Sequence, residues 1–191
     1  MKNWTNEIDN YLTRLKATID SLDRAQISYF INTLLAARDN GKTIFSMGNG
    51  GSAATASHFC CDFNKGASYG YSKRFKFICL NDNVPTMMAY GNDTSYDDVF
   101  VEPLKNLMSA GDLVIGISGS GNSKNVINAI EWANANGGQT FALVGYSGGK
   151  LKDVAQKYVH VNINDMQITE DLHMVLDHMV MKVICDSMEK V

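Results

Sequence analysis

Proline is nearly missing from this chain: Pro85 and Pro103 are the only two in 191 residues. No proline-rich linker, low-complexity tract or internal repeat divides it, so residues 1–191 read as a single domain large enough to bury a full core. Cysteine is scarce too. Cys60, Cys61, Cys79 and Cys185 show no C-x-x-C spacing, which excludes a zinc ribbon or a disulfide framework. The adjacent Cys60-Cys61 pair reads as small helix filler and fits a reducing compartment. There is no excess of positive charge. The net charge of −3 advertises no surface for nucleic acid or anionic membrane. No apolar run reaches membrane-spanning length, and the charged start Met1-Lys2-Asn3-Trp4-Thr5-Asn6-Glu7 is unlike a signal peptide. The expectation is a compact cytoplasmic protein with neither nucleic acid nor membrane as partner.

What is present is a regular alternation. Residues 3–20 and 24–39 read as amphipathic helices, with Ile8, Leu12, Leu15, Ile19 and Leu22 forming an apolar stripe and Asn40-Gly41 ending the second. Short apolar strands follow near 43–47, 75–80, 112–117, 139–144 and 158–162. A final helix is expected over about 169–189, with Thr169 as its N-cap. Strands alternating with helices imply an α/β fold: a parallel sheet with helices on both faces. The helices of residues 1–40 exceed what that sheet needs for cover, and are expected to pack between subunits. The methionines between Met166 and Met188 read as core or interface.

Two loops carry the chemistry. The strand Thr43–Met47 runs into Gly48-Asn49-Gly50-Gly51-Ser52 and then a helix of small residues. Glycines permit positive φ and close approach of a ligand to the backbone, and a helix N-terminus attracts anions. A glycine cluster alone equally suits an ordinary strand–turn–helix corner, and neither a Walker loop nor a dinucleotide fingerprint is present. The strand Asp112–Ile117 runs into Ser118-Gly119-Ser120-Gly121-Asn122-Ser123, with Ser123 at an N-cap position. Its hydroxyls can hold a phosphate by hydrogen bonding. Both loops lie at carboxyl ends of strands, where open α/β sheets bind ligands.

Two carboxylate–imidazole pairs accompany them. His58 and Asp62 are four apart and share a helix face. Glu170 and His178 are eight apart, a little over two turns, and broadly on one face. Nitrogen and oxygen ligands of this kind suit zinc or a similar ion. The bland alternative for each is a solvated or core residue. His173 and His160 receive that reading, His173 as a packing or orienting residue and His160 as part of a strand.

Taken together, Gly48–Ser52 with His58-Phe59, Gly91-Asn92-Asp93, Gly116–Ser118 through Gly121–Val126, and the last helix with His173 and His178 resemble the phosphoheptose isomerase family of the SIS (sugar isomerase) superfamily. The resemblance implies a flavodoxin-like three-layer sandwich with five parallel strands and extra N-terminal helices, assembled as a homotetramer with active sites between subunits. It implies substrate binding by Asn49, Gly50, Gly51, Ser52, Asn92, Asp93, Ser118, Gly119, Ser120 and Ser123. It implies a zinc ion, one per subunit, held by His58, Asp62, Glu170 and His178, with Asp62 and Glu170 also facing substrate. No redox cofactor is implied. Three positions depart from the family pattern: Asp62 replaces a glutamate, Glu170 a glutamine and Gly119 a threonine.

The activity so implied is aldose–ketose isomerisation of a sugar phosphate, sedoheptulose 7-phosphate to D-glycero-D-manno-heptose 7-phosphate, for bacterial surface polysaccharide. Asp62 is the candidate base and His178 the candidate acid. Two rivals stand beside it: a pentose or hexulose phosphate isomerase, and a non-enzymatic SIS protein that binds a replication initiator. Retention of His58, Asp62 and His178 argues against the second.

Overall fold

The computed structural model describes residues 1–189. Five parallel strands form one sheet: β1 (Thr43–Gly48), β2 (Lys76–Cys79), β3 (Leu113–Ser118), β4 (Gln139–Val144) and β5 (Lys157–His160). Their order is β2-β1-β3-β4-β5. The chain therefore leaves β1 toward one edge, returns, and builds the rest on the other side of β1. The crevice at the carboxyl ends of β1 and β3 is the topological switch point of a flavodoxin-like sheet, where ligands bind. Both glycine–serine loops open into that crevice because they follow β1 and β3.

The central strands are apolar without alternation, since helices cover both faces. Ile44, Leu113, Ile115, Phe141 and Leu143 point to one face. There they meet α2 (Arg24–Asp39), α3 (Gly51–Cys61) and α8 (Met166–Asp186) through Phe30, Leu34, Phe59, Leu172 and Leu176. Phe45, Met47, Val114, Ala142 and Val144 point to the other. There they meet α5 (Val101–Leu107), α6 (Lys124–Ala135) and α7 (Gly149–Val154) through Leu104, Val126, Ile130 and Leu151. So α2 is part of the core cover rather than surplus. α1 (Thr5–Ser21) differs: it buries only Thr18, and Ile8 and Leu12 stay exposed. α4 (Val84–Asp93) buries no residue at all.

Several boundaries differ from the expected ones. α8 begins at Met166, three residues before the expected start. Its N-cap is Asp165, whose carboxylate accepts from the Ile168 N–H, while the Thr169 hydroxyl donates back to the Asp165 carbonyl inside the first turn. A cap needs extended backbone, which Asp165 has and a helical Thr169 does not. The short helices α4, α5 and α7 are additions. α4 had a readable start, since Asn83 accepts from the Thr86 N–H and Pro85 sits in the first turn.

Candidate active site

The site lies between α3 and α8. Contacts pair Gly51 with Glu170, His58 and Asp62 with His178, and Gly66 with Met181, so the two helices run side by side in the same direction away from the switch point. The glycine and serine loops are at their N-terminal ends, and the carboxylate–imidazole cluster lies lower. From Ser52 to His58 the helix rise amounts to roughly 9 Å.

At the upper end, Gly50 has φ +56°, which lets the chain turn from β1 into α3. Gly48 is glycine for a different reason: a Cβ there would lie 2.7 Å from the Ser52 backbone. The Asn81 side chain clamps Gly48 on both sides, accepting from its N–H at 3.2 Å and donating to its carbonyl at 2.9 Å. Asn49 and Asn125 form a reciprocal amide pair at 2.9 Å in each direction, and the Tyr96 hydroxyl donates to Asn49 Oδ1 at 2.9 Å. These bonds tie the first loop to α6 and to the turn after α4.

In the second loop the Ser118 and Ser123 hydroxyls lie 3.1 Å apart, and the Gly121 N–H donates to Ser118 Oγ. Ser123 occupies the N-cap position of α6, yet its hydroxyl makes no capping bond. A cavity of about 170 Å³ opens between the loops, lined by Asn49, Ser52, Ile117, Ser118, Gly119, Ser120, Ser123, Met166 and Glu170. Hydroxyls and an amide from the two loops, together with the Glu170 carboxylate, surround this small space beside the start of α3.

Lower down, α3 widens into a π-helical turn over Asp62–Gly66, a distortion often found at functional sites. His58 Nε2 lies 2.9 Å from His178 Nε2 and 3.7 Å from Asp62 Oδ2; His178 Nε2 lies 3.9 Å from Asp62 Oδ2. The circle through these three atoms has a radius of about 2.1 Å, a zinc–nitrogen bond length. Two imidazoles and a carboxylate are also the donor types such an ion takes. The residues present fit a divalent metal, with three side chains that could serve as its donors.

A family model described as the SIS domain matches residues 3–145. A phosphoheptose isomerase from Geobacter metallireducens is 34% identical over 187 residues, covering 96% of this chain and 96% of that protein. The chain belongs to the phosphoheptose isomerase family of SIS-domain proteins. A second family member, from Aliarcobacter butzleri, is 39% identical over 146 residues, 76% of each chain. The solved phosphoheptose isomerase of Neisseria gonorrhoeae superposes with a TM-score of 0.87 at 27% identity, over 96% of this chain and all of that one. The likeness extends through the last helix, beyond the matched SIS segment.

Against the ligand set that the phosphoheptose isomerase resemblance implied, Glu170 stands apart. It is not part of the cluster of His58, Asp62 and His178. Eight residues of helix separate it from His178, roughly 12 Å of rise, so sharing a face does not bring it to the same level. Its carboxylate packs on Gly51, where a Cβ would lie 2.5 Å from Glu170 Cδ, and it lines the upper cavity. Asn92 and Asp93 sit exposed at the end of α4, hydrogen-bonded to each other at 2.7 Å, and do not line that cavity. Gly119 has a local reason: a Cβ would lie 2.5 Å from Met166 Sδ.

Two buried groups sit behind this family's helix pair on α8. His173 and Asp177 are fully buried and neither makes a side-chain hydrogen bond. Burial pulls the His173 pKa down to about 4. Burial, reinforced by the charge of Asp62, pushes the Asp177 carboxyl up to about 8. Sequence reasoning passed over Asp177, Asn81, Tyr96 and Asn125. Asparagines after strand ends and at helix starts were the only signal for two of them.

Proposed function

We propose that the chain interconverts sedoheptulose 7-phosphate and D-glycero-D-manno-heptose 7-phosphate, supplying heptose for bacterial surface polysaccharide. The observation that carries the reading is the pairing on α3 and α8 of a small, hydroxyl-lined cavity with a carboxylate–imidazole cluster further down the same helices. The related proteins named above are phosphoheptose isomerases, which favours neither a pentose phosphate substrate nor a binding-only role.

The reaction moves one proton between neighbouring carbons and one between their oxygens. Asp62 is the base that takes the proton from the carbon beside the carbonyl, giving an enediolate, and returns it to the adjacent carbon. His178 carries the proton between the two oxygens when its Nε2 is free of the ion, since a nitrogen held on the ion has no lone pair left to move a proton. Ser118, Ser120 and Ser123, with Ser52 and the α3 N-terminus, hold the phosphate, so remote binding positions the reacting end. His58, Asp62 and His178 would hold a divalent ion, zinc being our choice, which when bound polarises the carbonyl oxygen. No redox cofactor is needed, because the substrate's own carbons exchange oxidation level.

We also take residues 1–191 to be one SIS domain acting in the cytoplasm. α1 then contributes the subunit contact, with Trp4, Ile8 and Leu12 offered to a second copy in a homotetramer. Among the described residues no helix is long and apolar enough to cross a membrane. Incubating purified protein with sedoheptulose 7-phosphate and following aldose formation tests the reading; absence of turnover with added zinc counts against it.

A further inference from the structure

A serine at an N-cap ordinarily accepts from the second or third N–H of its helix. Ser123, at the N-cap of α6, does not. The third N–H, that of Val126, donates to Asn125 Oδ1 at 2.9 Å instead. The buried Asn125 thus does the work of the cap. The Ser123 hydroxyl is left to Ser118 and to the cavity that both line.

The same bond fixes an orientation. An N–H can donate to an amide only through the oxygen, so Val126 decides which end of the Asn125 side chain is Oδ1. That oxygen also accepts from Asn49 Nδ2, and Asn125 Nδ2 donates to Asn49 Oδ1. Asn49 is therefore held one way round. Its Oδ1 accepts from Asn125 and from the Tyr96 hydroxyl. Of its two Nδ2 hydrogens, Asn125 takes one, and the other has no partner among the described residues. Asn49 lines the cavity too, so the group it offers a ligand is a hydrogen-bond donor.

We infer that Asn125 is a positioning residue for the ligand of the two loops. It does not line the cavity itself and acts through two residues that do. By capping α6 in place of Ser123 it frees a hydroxyl from the second loop. By orienting Asn49 it presents an N–H from the first. Both are matched to the oxygens of a phosphorylated sugar. The inference rests on the isomerase reading of the cavity and deepens it.

The test is a double-mutant cycle over wild type, Asn125→Leu, Ser123→Ala and the double variant. Leucine keeps a similar volume and removes the amide. The Val126 N–H should then turn to the Ser123 hydroxyl, and Asn49 should lose its fixed orientation. Each protein is titrated with inorganic phosphate by calorimetry and assayed with sedoheptulose 7-phosphate. Asn125→Leu should weaken phosphate binding and raise KM roughly tenfold, while kcat moves less than about twofold, as expected when hydrogen bonds remote from the proton-transfer groups are lost. With Ser123 already alanine, the same change should cost about threefold or less in phosphate affinity, because the hydroxyl it misdirects is gone. Strict additivity overturns the inference, and so do an unchanged KM and phosphate affinity in Asn125→Leu. Nuclear magnetic resonance of wild type gives a readout that no variant's folding can disturb. The Asn49 side-chain amide should shift as sedoheptulose 7-phosphate is added, and an unmoved signal overturns the inference. Wild type that binds phosphate yet turns over no sugar phosphate fails the isomerase reading alone, and the phosphate cycle still decides about Asn125. Wild type that binds neither ligand fails the cradle and the inference together.

Discussion

The Nε2 atoms of His58 and His178 face each other at 2.9 Å, although 120 residues separate them in the chain. Two imidazoles can meet this way only if one donates and the other accepts, or if both turn lone pairs toward a cation. The Asp62 carboxylate oxygen completing the triangle favours the cation. Protein purified without chelator should carry about one divalent transition-metal ion per chain. Stripping it and restoring zinc should raise the melting temperature of wild type, as ligand linkage requires, and leave His58→Ala unmoved. An identical rise in both proteins contradicts the site.

Met166 and Gly119 are a second such pair. Placing at 119 the threonine that the family resemblance implies drives a side chain into Met166 Sδ. Gly119→Thr alone should destabilise by roughly 1–3 kcal/mol, the usual range for overpacking. Adding Met166→Ala should recover much of that loss by making room. A denaturant-unfolding cycle over the four proteins measures the coupling, and strict additivity refutes the collision.

Asp177 gives stability an unusual pH dependence. Its folded pKa is about 8 against 3.8 for the free group, so between these values the unfolded chain has lost a proton that the folded chain retains. Its contribution is complete below pH 3.8 and is lost as pH rises toward 8. His173 acts in the opposite sense, losing stability as pH falls from 6.5 to about 4. Only Asp177 of the two acts between pH 6.5 and 8. Over that interval metal-free wild-type protein should lose stability faster than Asp177→Asn. Parallel melting-temperature profiles for the two proteins rule this out.

Much of this architecture was legible beforehand. The run Asp112–Ile117 reads as a central strand, and the Gly50 and Gly121 turns announced loops at strand ends. β3 itself begins one residue later, at Leu113. His58 and Asp62 do meet, because i, i+4 spacing on a helix fixes both face and level. Glu170 and His178 share a face but not a level, and helical periodicity alone does not report level. The bonds from Asn81, Asn125 and Tyr96 span 33 to 76 residues and leave no local pattern. α4 and α7 were passed over because a helix that buries one residue or none shows little amphipathic period.

The serine loop should set affinity rather than fold. Ser120→Ala combined with Ser123→Ala removes two hydroxyl donors and should raise KM for the sugar phosphate roughly tenfold or more, at about 1 kcal/mol per hydrogen bond. Far-ultraviolet circular dichroism and the melting curve should stay near wild type. An unchanged KM counts against phosphate binding at this loop.

The central claim is that Asp62 abstracts the substrate proton in an aldose–ketose isomerisation. The most direct measurement is turnover of sedoheptulose 7-phosphate in deuterated water, followed by NMR at the carbon next to the carbonyl, for wild type and Asp62→Asn. Wild type should form the aldose and incorporate solvent deuterium at that carbon. Asp62→Asn should still bind substrate while exchange and turnover fall together by about 10²–10⁴-fold, the worth of a positioned general base. Wild-type protein that neither converts nor exchanges the substrate contradicts the account, as does an Asp62→Asn protein that exchanges at the wild-type rate.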